Sequence, residues 1–213
     1  MIYNKVIKRI IDIVSSSLLL LFFAVPCFFI AIAIKIDSRG PIFADVPERI
    51  GQFGKKFKMF KFRSMIENAH VLLRTDRRFK SLYQRYKKES YKLKNDPRVT
   101  RVGKFIRKHS LDEIPQLLNV LLGEMSLVGP RAYYPDELEN QQKNHPHTRI
   151  FVKEVLVVKP GITGLWQVTG RSEIHFDKRI AIDADYVHNV SLGKDMLIIL
   201  KTPLIMITGK GAI

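Results

Sequence analysis

Apolar residues form one long run near the start of the chain and then break into short alternating or helically spaced groups. Between Asp12 and Lys35 lie 22 residues without a charge, and from Leu18 to Ile34 only Pro26 interrupts the run of apolar side chains. As one helix these 22 residues reach about 33 Å, enough for a hydrocarbon core of about 30 Å. Pro26 lacks an N–H and clashes with the preceding turn, so a kink or reversal is expected there. Lys5, Lys8 and Arg9 precede the run, and Lys35, Arg39, Arg49, Lys55 and Lys56 follow it. Positive charge belongs on the cytoplasmic side, so basic flanks at both ends favour a re-entrant helix over a crossing one. A single-pass anchor is the second reading. A signal peptide is the third, because Ala31-Ile32-Ala33 imitates a cleavage site, although such apolar regions usually cover only about 7 to 15 residues.

Past the breaker Arg39-Gly40-Pro41 the pattern changes period. Segments 42–46 and 57–62 read as strands, with Gly51 and Gly54 between them, and predict a small β-hairpin. Residues 67–94 carry an irregular apolar face at helical spacing on an otherwise cationic stretch. A further helix is predicted from Ser110 to the stop at Gly123. The expected architecture is mixed α/β and helix-rich, with residues 1–40 as a membrane anchor and 41–213 as a membrane-apposed domain.

Charge sharpens this picture because it is local. The chain of 213 residues has a formal charge of +16, and the stretch 49–108 holds 20 Lys/Arg against Glu67, Asp76, Glu89 and Asp96. A block of one sign repels itself unless an anion offsets it, so an anionic partner is expected: phosphorylated substrate, acidic lipid or nucleic acid. The run Lys55-Lys56-Phe57-Lys58-Met59-Phe60-Lys61-Phe62-Arg63 alternates aromatics and cations in a way that suits single-stranded nucleic acid. Without a named nucleic-acid module, such alternation reads first as the buried face of a strand. A basic peripheral protein that binds lipid or nucleic acid without chemistry is the alternative to an enzyme. The single cysteine, Cys27, excludes an intrachain disulfide and a multi-cysteine zinc site. The close pair His145-Pro146-His147 has no cysteine near it and reads as a surface loop.

Candidate chemistry concentrates at Ser110-Leu111-Asp112-Glu113-Ile114-Pro115. Ser110 and Glu113 have capping-box spacing, and Asp112 suits the positive end of a helix dipole. The functional reading uses the same physics: Asp112 is a candidate nucleophile toward a phosphoryl group, with the cationic block neutralising charge build-up. Adjacent helical side chains point about 100° apart, so Glu113 takes another task, holding metal or orienting groups.

The motifs 92–103, 110–121 and 125–131 (Met125-Ser126-Leu127-Val128-Gly129-Pro130-Arg131) resemble those of the bacterial sugar transferases, monotopic phosphoglycosyl transferases. The likeness extends to Lys61-Phe62-Arg63-Ser64-Met65, to 159–171, and to Asp195, Lys201-Thr202 and Gly211-Ala212. The resemblance implies a covalent mechanism in which Asp112 takes a sugar 1-phosphate from a UDP-sugar, releases UMP, and passes the group to undecaprenyl phosphate. It implies Mg²⁺ at Asp112 and Glu113, and a membrane helix broken at Pro26. By motif position Lys61, Arg63, Arg98, Arg101, Arg107 and Arg131 are candidates for the phosphates, since guanidinium forks suit them. Gln167 and Arg171, on a turn-rich loop whose plain reading is a connector, are candidates for completing the nucleotide-sugar site. The implied location is the cytoplasmic face of a bacterial inner membrane, beside anionic lipids and without nucleic acid. A homo-oligomer is compatible with the sequence. Three positions depart from the family pattern: Val25-Pro26 where a serine commonly precedes the proline, Ala132 after Pro130-Arg131, and Asp45-Val46-Pro47-Glu48 at a strand end.

Overall fold

The computed structural model describes residues 6–88, 91, 93, 95–171 and 174–209. Lys5, Lys92, Lys94, Gly211 and Ala212 of the sequence reading lie outside the described residues. The apolar run forms α1, Lys8–Asp37, a 30-residue helix of about 45 Å that carries Pro26 inside it. The helical course continues past Pro26. One stripe of α1, Asp12, Ser16, Leu20, Phe23, Cys27, Ile30 and Ile34, is buried or half-buried. Its apolar members pack on the rest of the chain, as the 3.6-residue period allows. The opposite face is bare: Leu21, Phe22 and Val25 are each at least 65% exposed.

Both ends of α1 are fastened to the same folded body. At its start Arg9 donates to the carbonyls of Val120 (2.5 Å) and Leu121 (2.8 Å), and Asp12 accepts from the Ser126 hydroxyl (3.1 Å) and the Leu127 N–H (2.9 Å). At its end Asp37 accepts from the Val102 N–H (3.0 Å), and Arg63 donates to the Ser38 hydroxyl (2.6 Å) and carbonyl (2.9 Å).

The hairpin exists but is shifted. β1, Arg49–Ile50, pairs antiparallel with β2, Lys56–Phe57, around a turn that holds Gly51 and Gly54. Segment 42–46 contributes only a bridge, Phe43 with Phe62, flanked by Ala44 N–H to Lys61 and Arg63 N–H to Ile42 bonds of 2.8 Å. Pro47 lies between the two pairings and has no N–H to continue a ladder, which accounts for the displacement. Phe57 and Met59 are buried while Lys56 and Lys58 face outward, so the alternating cations and aromatics form a core strand.

The helix expected over 67–94 is also corrected. It divides into α2, Ala69–Thr75, a 3-10 turn at Arg77–Phe79, and α3, Lys80–Lys88. Asp76 makes the break, because its carboxylate accepts from the Arg78 N–H at 2.9 Å and offers the backbone a local alternative to the helix. The remaining helices are α4 (Arg101–Lys108), α5 (Gln116–Leu122), α6 (Pro135–Asn144), α7 (Arg149–Val155), α8 (Leu165–Thr169), α9 (Phe176–His188) and α10 (Leu192–Thr208). Gly123 ends α5 in the left-handed region at φ +84°, as the sequence predicts.

A second, parallel pair was not legible in the sequence: β3, Ser126–Val128, against β4, Gly161–Thr163. It replaces part of the connector expected over 160–171. The main core joins α5 and β3 to β2 and α10 through Leu117, Val120, Met125, Val128, Phe57 and Ile198. Each such side chain contributes roughly 1.5–3 kcal/mol by leaving water. Under α6 and α9 lies Arg179 paired with Glu137 at 2.9 Å, both fully buried. Removing one partner there costs about 3–5 kcal/mol, against at most about 1 kcal/mol for the exposed pair Lys143 and Glu139.

The two strands of this pair approach closely because glycines line their crossing. A methyl group on Gly161 would stand 2.1 Å from the Gly129 nitrogen and 2.4 Å from the Thr163 carbonyl oxygen, both backbone atoms that cannot swing away. Gly161→Ala is therefore expected to destabilise the chain by about 3 kcal/mol or more, read as a lowered midpoint of thermal unfolding, whereas alanine at the open Gly193 leaves it nearly unchanged.

Candidate active site

The strand after β2 delivers Lys61. Asn119, fully buried on α5, accepts from the Phe60 N–H (2.9 Å) and donates to the Lys58 carbonyl (2.9 Å), so one amide stands in for a missing neighbouring strand. Beyond it the Phe62 N–H donates to the Asp112 carbonyl at 2.9 Å, which fixes the strand beside the segment that carries the carboxylates.

That segment does not form the expected capping box. Ser110 has φ +54° and caps no N–H with its side chain; Leu111–Glu113 is a 3-10 turn, and α5 begins at Gln116 after Pro115. Two competing partners explain this. The Ser110 hydroxyl is taken by the Arg171 guanidinium, and the Glu113 carboxylate by Lys61. Asp112 and Glu113 thus project from a tight turn ahead of the helix.

Lys61 bridges the two carboxylates, with its ammonium 2.9 Å from Asp112 Oδ2 and 3.1 Å from Glu113 Oε1. Asp112 is 2% exposed, while a third of the Glu113 side chain meets solvent. Burial pushes the Asp112 carboxyl above its ordinary range, with Lys61 pulling back and the charge of Glu113 adding to the rise. Burial acts upward on Glu113 too, but Lys61, then Arg131 and Arg171, outweigh it and hold Glu113 below its ordinary value. The pair is therefore split, one carboxyl more basic and its neighbour firmly ionised.

These residues open on a cavity of about 260 Å³. Of the sequence-predicted residues, Lys61, Asp112, Glu113, Arg107, Arg131, Gln167 and Arg171 meet on its wall. The Arg131 guanidinium carbon lies 5.3 Å from the centre of the Trp166 ring, and its backbone N–H donates to buried Asp183 at 3.1 Å. Gln167 donates to the Ile162 carbonyl at 2.7 Å, and its buried Oε1 has no partner among the described residues.

Three other predicted cations are placed differently. Arg63 also borders the cavity, yet its guanidinium is spent on the carbonyls of Pro41, Ser38 and Ile34 and on the Ser38 hydroxyl, at the end of α1. Arg98 also borders the cavity but is 1% exposed, its guanidinium gripping both oxygens of Asp96 and the Ala69 carbonyl. Arg101 is exposed at the start of α4, away from the cavity wall. Pro26 lies on the exposed face of α1.

Sequence reasoning passed over Gln116, Arg49, His70 and Trp166, which also line the cavity. Gln116 and Trp166 stand inside recognised motifs and carried that signal; Arg49 and His70 carry no local pattern. Among the described residues no group of three or more His, Cys, Asp or Glu converges to hold a metal. Asp112 and Glu113 supply two hard oxygen donors side by side, which fits a Mg²⁺ bound through one or two carboxylates and substrate phosphates.

Asp112 and Glu113 thus share one lysine and line a cleft with Arg107, Arg131 and Arg171, an electrostatic setting suited to anionic groups. The chain belongs to the bacterial sugar transferase family, whose model matches residues 3–209. It is 43% identical over 213 residues to an uncharacterized sugar transferase of Haemophilus influenzae and 40% identical over 209 residues to the undecaprenyl-phosphate galactose phosphotransferase of Salmonella typhimurium. Each match covers 98% of this chain and 42% of the relative, so the chain spans less than half the length of these two proteins. With the exopolysaccharide production protein ExoY of Rhizobium meliloti it shares 42% identity over 197 residues, 92% of this chain and 83% of that protein.

Asp183 supplies a pH test of the support beneath Arg131. Burial raises its carboxyl from 3.8 to about 7, against the hydrogen bond from Arg131 and the charge of Arg179. The native state then holds a proton that the unfolded chain has released, so this group's contribution to stability is full below pH about 4 and is lost as pH rises through about 7. Asp183→Asn is expected to flatten the fall in unfolding free energy between pH 5 and 8, measured by denaturant titration.

Proposed function

We propose that this chain transfers a sugar 1-phosphate from a UDP-sugar to undecaprenyl phosphate by way of a phosphosugar carried on Asp112. The observation that carries the reading is the Asp112 and Glu113 pair, bridged by Lys61 and opening on an arginine-lined cavity. The relative named for undecaprenyl-phosphate galactose phosphotransfer supports the lipid acceptor and a hexose phosphate as the group transferred, and the exopolysaccharide relative supports a role in priming surface glycan assembly.

In the first step an Asp112 carboxylate oxygen attacks the phosphorus that bears the sugar. The bond from that phosphorus to the bridging oxygen breaks, and UMP leaves with the electron pair. In the second step a phosphate oxygen of undecaprenyl phosphate attacks the same phosphorus and displaces the Asp112 carboxylate, giving a lipid diphosphate sugar. Burial makes Asp112 a stronger nucleophile than an exposed carboxylate, and Lys61 keeps enough of it ionised to react. Glu113, held ionised, keeps Lys61 oriented. Arg107, Arg131 and Arg171 offset the negative charge of two phosphates meeting an anion. Asp112 and Glu113 are the residues that would hold a Mg²⁺, which would supply further neutralisation when bound. The raised Asp112 carboxyl also favours a second reading, in which it accepts a proton while the sugar phosphate passes directly between substrates.

Placement follows from α1. Its bare apolar face calls for lipid, yet both its ends are tied to one folded body. A helix crossing the bilayer would carry those ends to opposite sides, so the reading is insertion from one side only, with the basic flanks of α1 favouring the cytoplasmic face. The exposed Leu197, Leu200, Leu204 and Ile207 of α10 offer further apolar surface to the same lipid.

Asp112→Ala is expected to reduce UMP release from a UDP-sugar by at least about 10³-fold while leaving membrane association intact. Incubating the wild type with labelled UDP-sugar and no acceptor should leave one phosphosugar on Asp112 by mass spectrometry; turnover without any adduct would favour the direct route. Membranes washed in high salt should retain the protein, since an inserted apolar helix resists ionic strength that strips electrostatic binders.

A further inference from the structure

The cavity has a wall that the phosphate chemistry leaves unused. Arg49 on β1 lies flat over Tyr134, its guanidinium carbon 3.3 Å from the ring centre. One of its N–H groups donates to the Ala132 carbonyl at 3.1 Å, but its Nε, in a side chain more than nine-tenths buried, has no hydrogen-bond partner among the described residues. A buried donor left without an acceptor is unfavourable, so this side chain, on the cavity wall, has hydrogen-bonding capacity that its own chain does not use. His70 on α2 stands 6.3 Å from the same Tyr134 ring and makes no hydrogen bond among the described residues. Burial, then Arg49, Arg98, Arg74 and Lys61, lower its imidazole to about 3, so it is neutral and offers one N–H and one acceptor nitrogen. Tyr86 and Tyr91, ring centres 5.1 Å apart, complete an aromatic wall behind them.

The neighbouring cations do not make this a second phosphate site. Arg98 is bound to Asp96 and Arg74 pairs with Asp136 at 3.3 Å, so each is neutralised at source. What is left is a flat guanidinium-on-phenol platform, one unpaired N–H donor and one uncharged imidazole that can both give and accept. That set matches a planar ring edged with carbonyl oxygens and an imide N–H, and the stacking of bases on arginine and aromatic planes is a general mode of recognition.

We infer that Arg49, His70 and Tyr134 form the nucleobase subsite of this cavity and take the uracil of the donor. The assignment rests on the proposed use of a UDP-sugar and adds to it the residues that select the base. Arg49 and His70 serve binding, and neither reaches the reacting phosphorus.

Two measurements on the full chain in lipid nanodiscs test it. UMP binding is read by saturation-transfer NMR without turnover, and steady-state kinetics compare UDP-hexose with CDP-hexose. His70→Ala is expected to raise KM for UDP-hexose about tenfold, the size of one lost hydrogen bond, with kcat within about twofold and the preference over CDP-hexose reduced. Arg49→Lys, which keeps the charge but removes the flat platform, should weaken UMP binding by a similar factor. Unchanged KM, base preference and UMP affinity in both variants, with thermal unfolding midpoints like that of the wild type, would overturn the subsite. If His70→Ala unfolds, Arg49→Lys and His70→Asn decide the matter by the same readouts. A wild type that binds UMP through these residues yet turns over no UDP-sugar would sink the proposed reaction and spare the subsite. Turnover with unchanged base preference in the variants would do the reverse.

Discussion

Two carboxylates adjacent in sequence and facing one cleft repel each other, and burial takes away the water that would soften that repulsion. Lys61 is the counterweight, 2.9 Å from Asp112 and 3.1 Å from Glu113. Much of the surrounding structure can be understood as the means of keeping that ammonium in place. Asn119 clamps the extended segment that bears it, the Phe62 N–H ties that segment to Asp112, and the close approach of Gly129 and Gly161 brings Arg131 and the α8 residues Trp166 and Gln167 to the same cavity. Without Lys61 the pair would share a proton, and the split between a basic Asp112 and an ionised Glu113 would vanish.

The cations of this chain divide into those that build and those that face the cleft. Arg63, Arg98 and Arg179 are deeply buried, each committed to carbonyls or carboxylates of its own chain. Arg131 and Arg171 lie close enough to Glu113 to depress its carboxyl. A guanidinium can do either task because its fork satisfies carbonyls and phosphates alike. The basic block therefore overstates the charge available to a substrate, since part of it holds the fold together.

This division explains what the sequence could and could not reveal. The long apolar helix, the hairpin around Gly51 and Gly54 and the stop at Gly123 were legible from local pattern, and Asp112, Glu113 and Lys61 were placed in one site by resemblance, with Lys61 expected on phosphate where it bridges the two carboxylates instead. The register of the hairpin was not, since Pro47 acts by withholding one hydrogen bond from a ladder whose partner lies elsewhere. The capping box at Ser110 looked sound by spacing, yet Arg171, some sixty residues on, takes the hydroxyl. Strand β4 is three residues long and its reason for existing is a distant glycine. His70 and Arg49 carried no signal, as their meaning comes only from what long-range packing sets beside them.

If α1 enters lipid as proposed, the stripe along it has a consequence for how the protein would be held there. Asp12 gives its carboxylate to Ser126 and Leu127 on β3, and Ile34 is seated among Phe62 and Ile106. Helix α1 is thus a keel built into the hull, and no tether separates it from the body that carries Asp112 and Glu113. Stripping it away to obtain a water-soluble fragment would tear out one wall of the interior, and exchanging it for an unrelated hydrophobic segment would leave polar sockets with nothing to fill them.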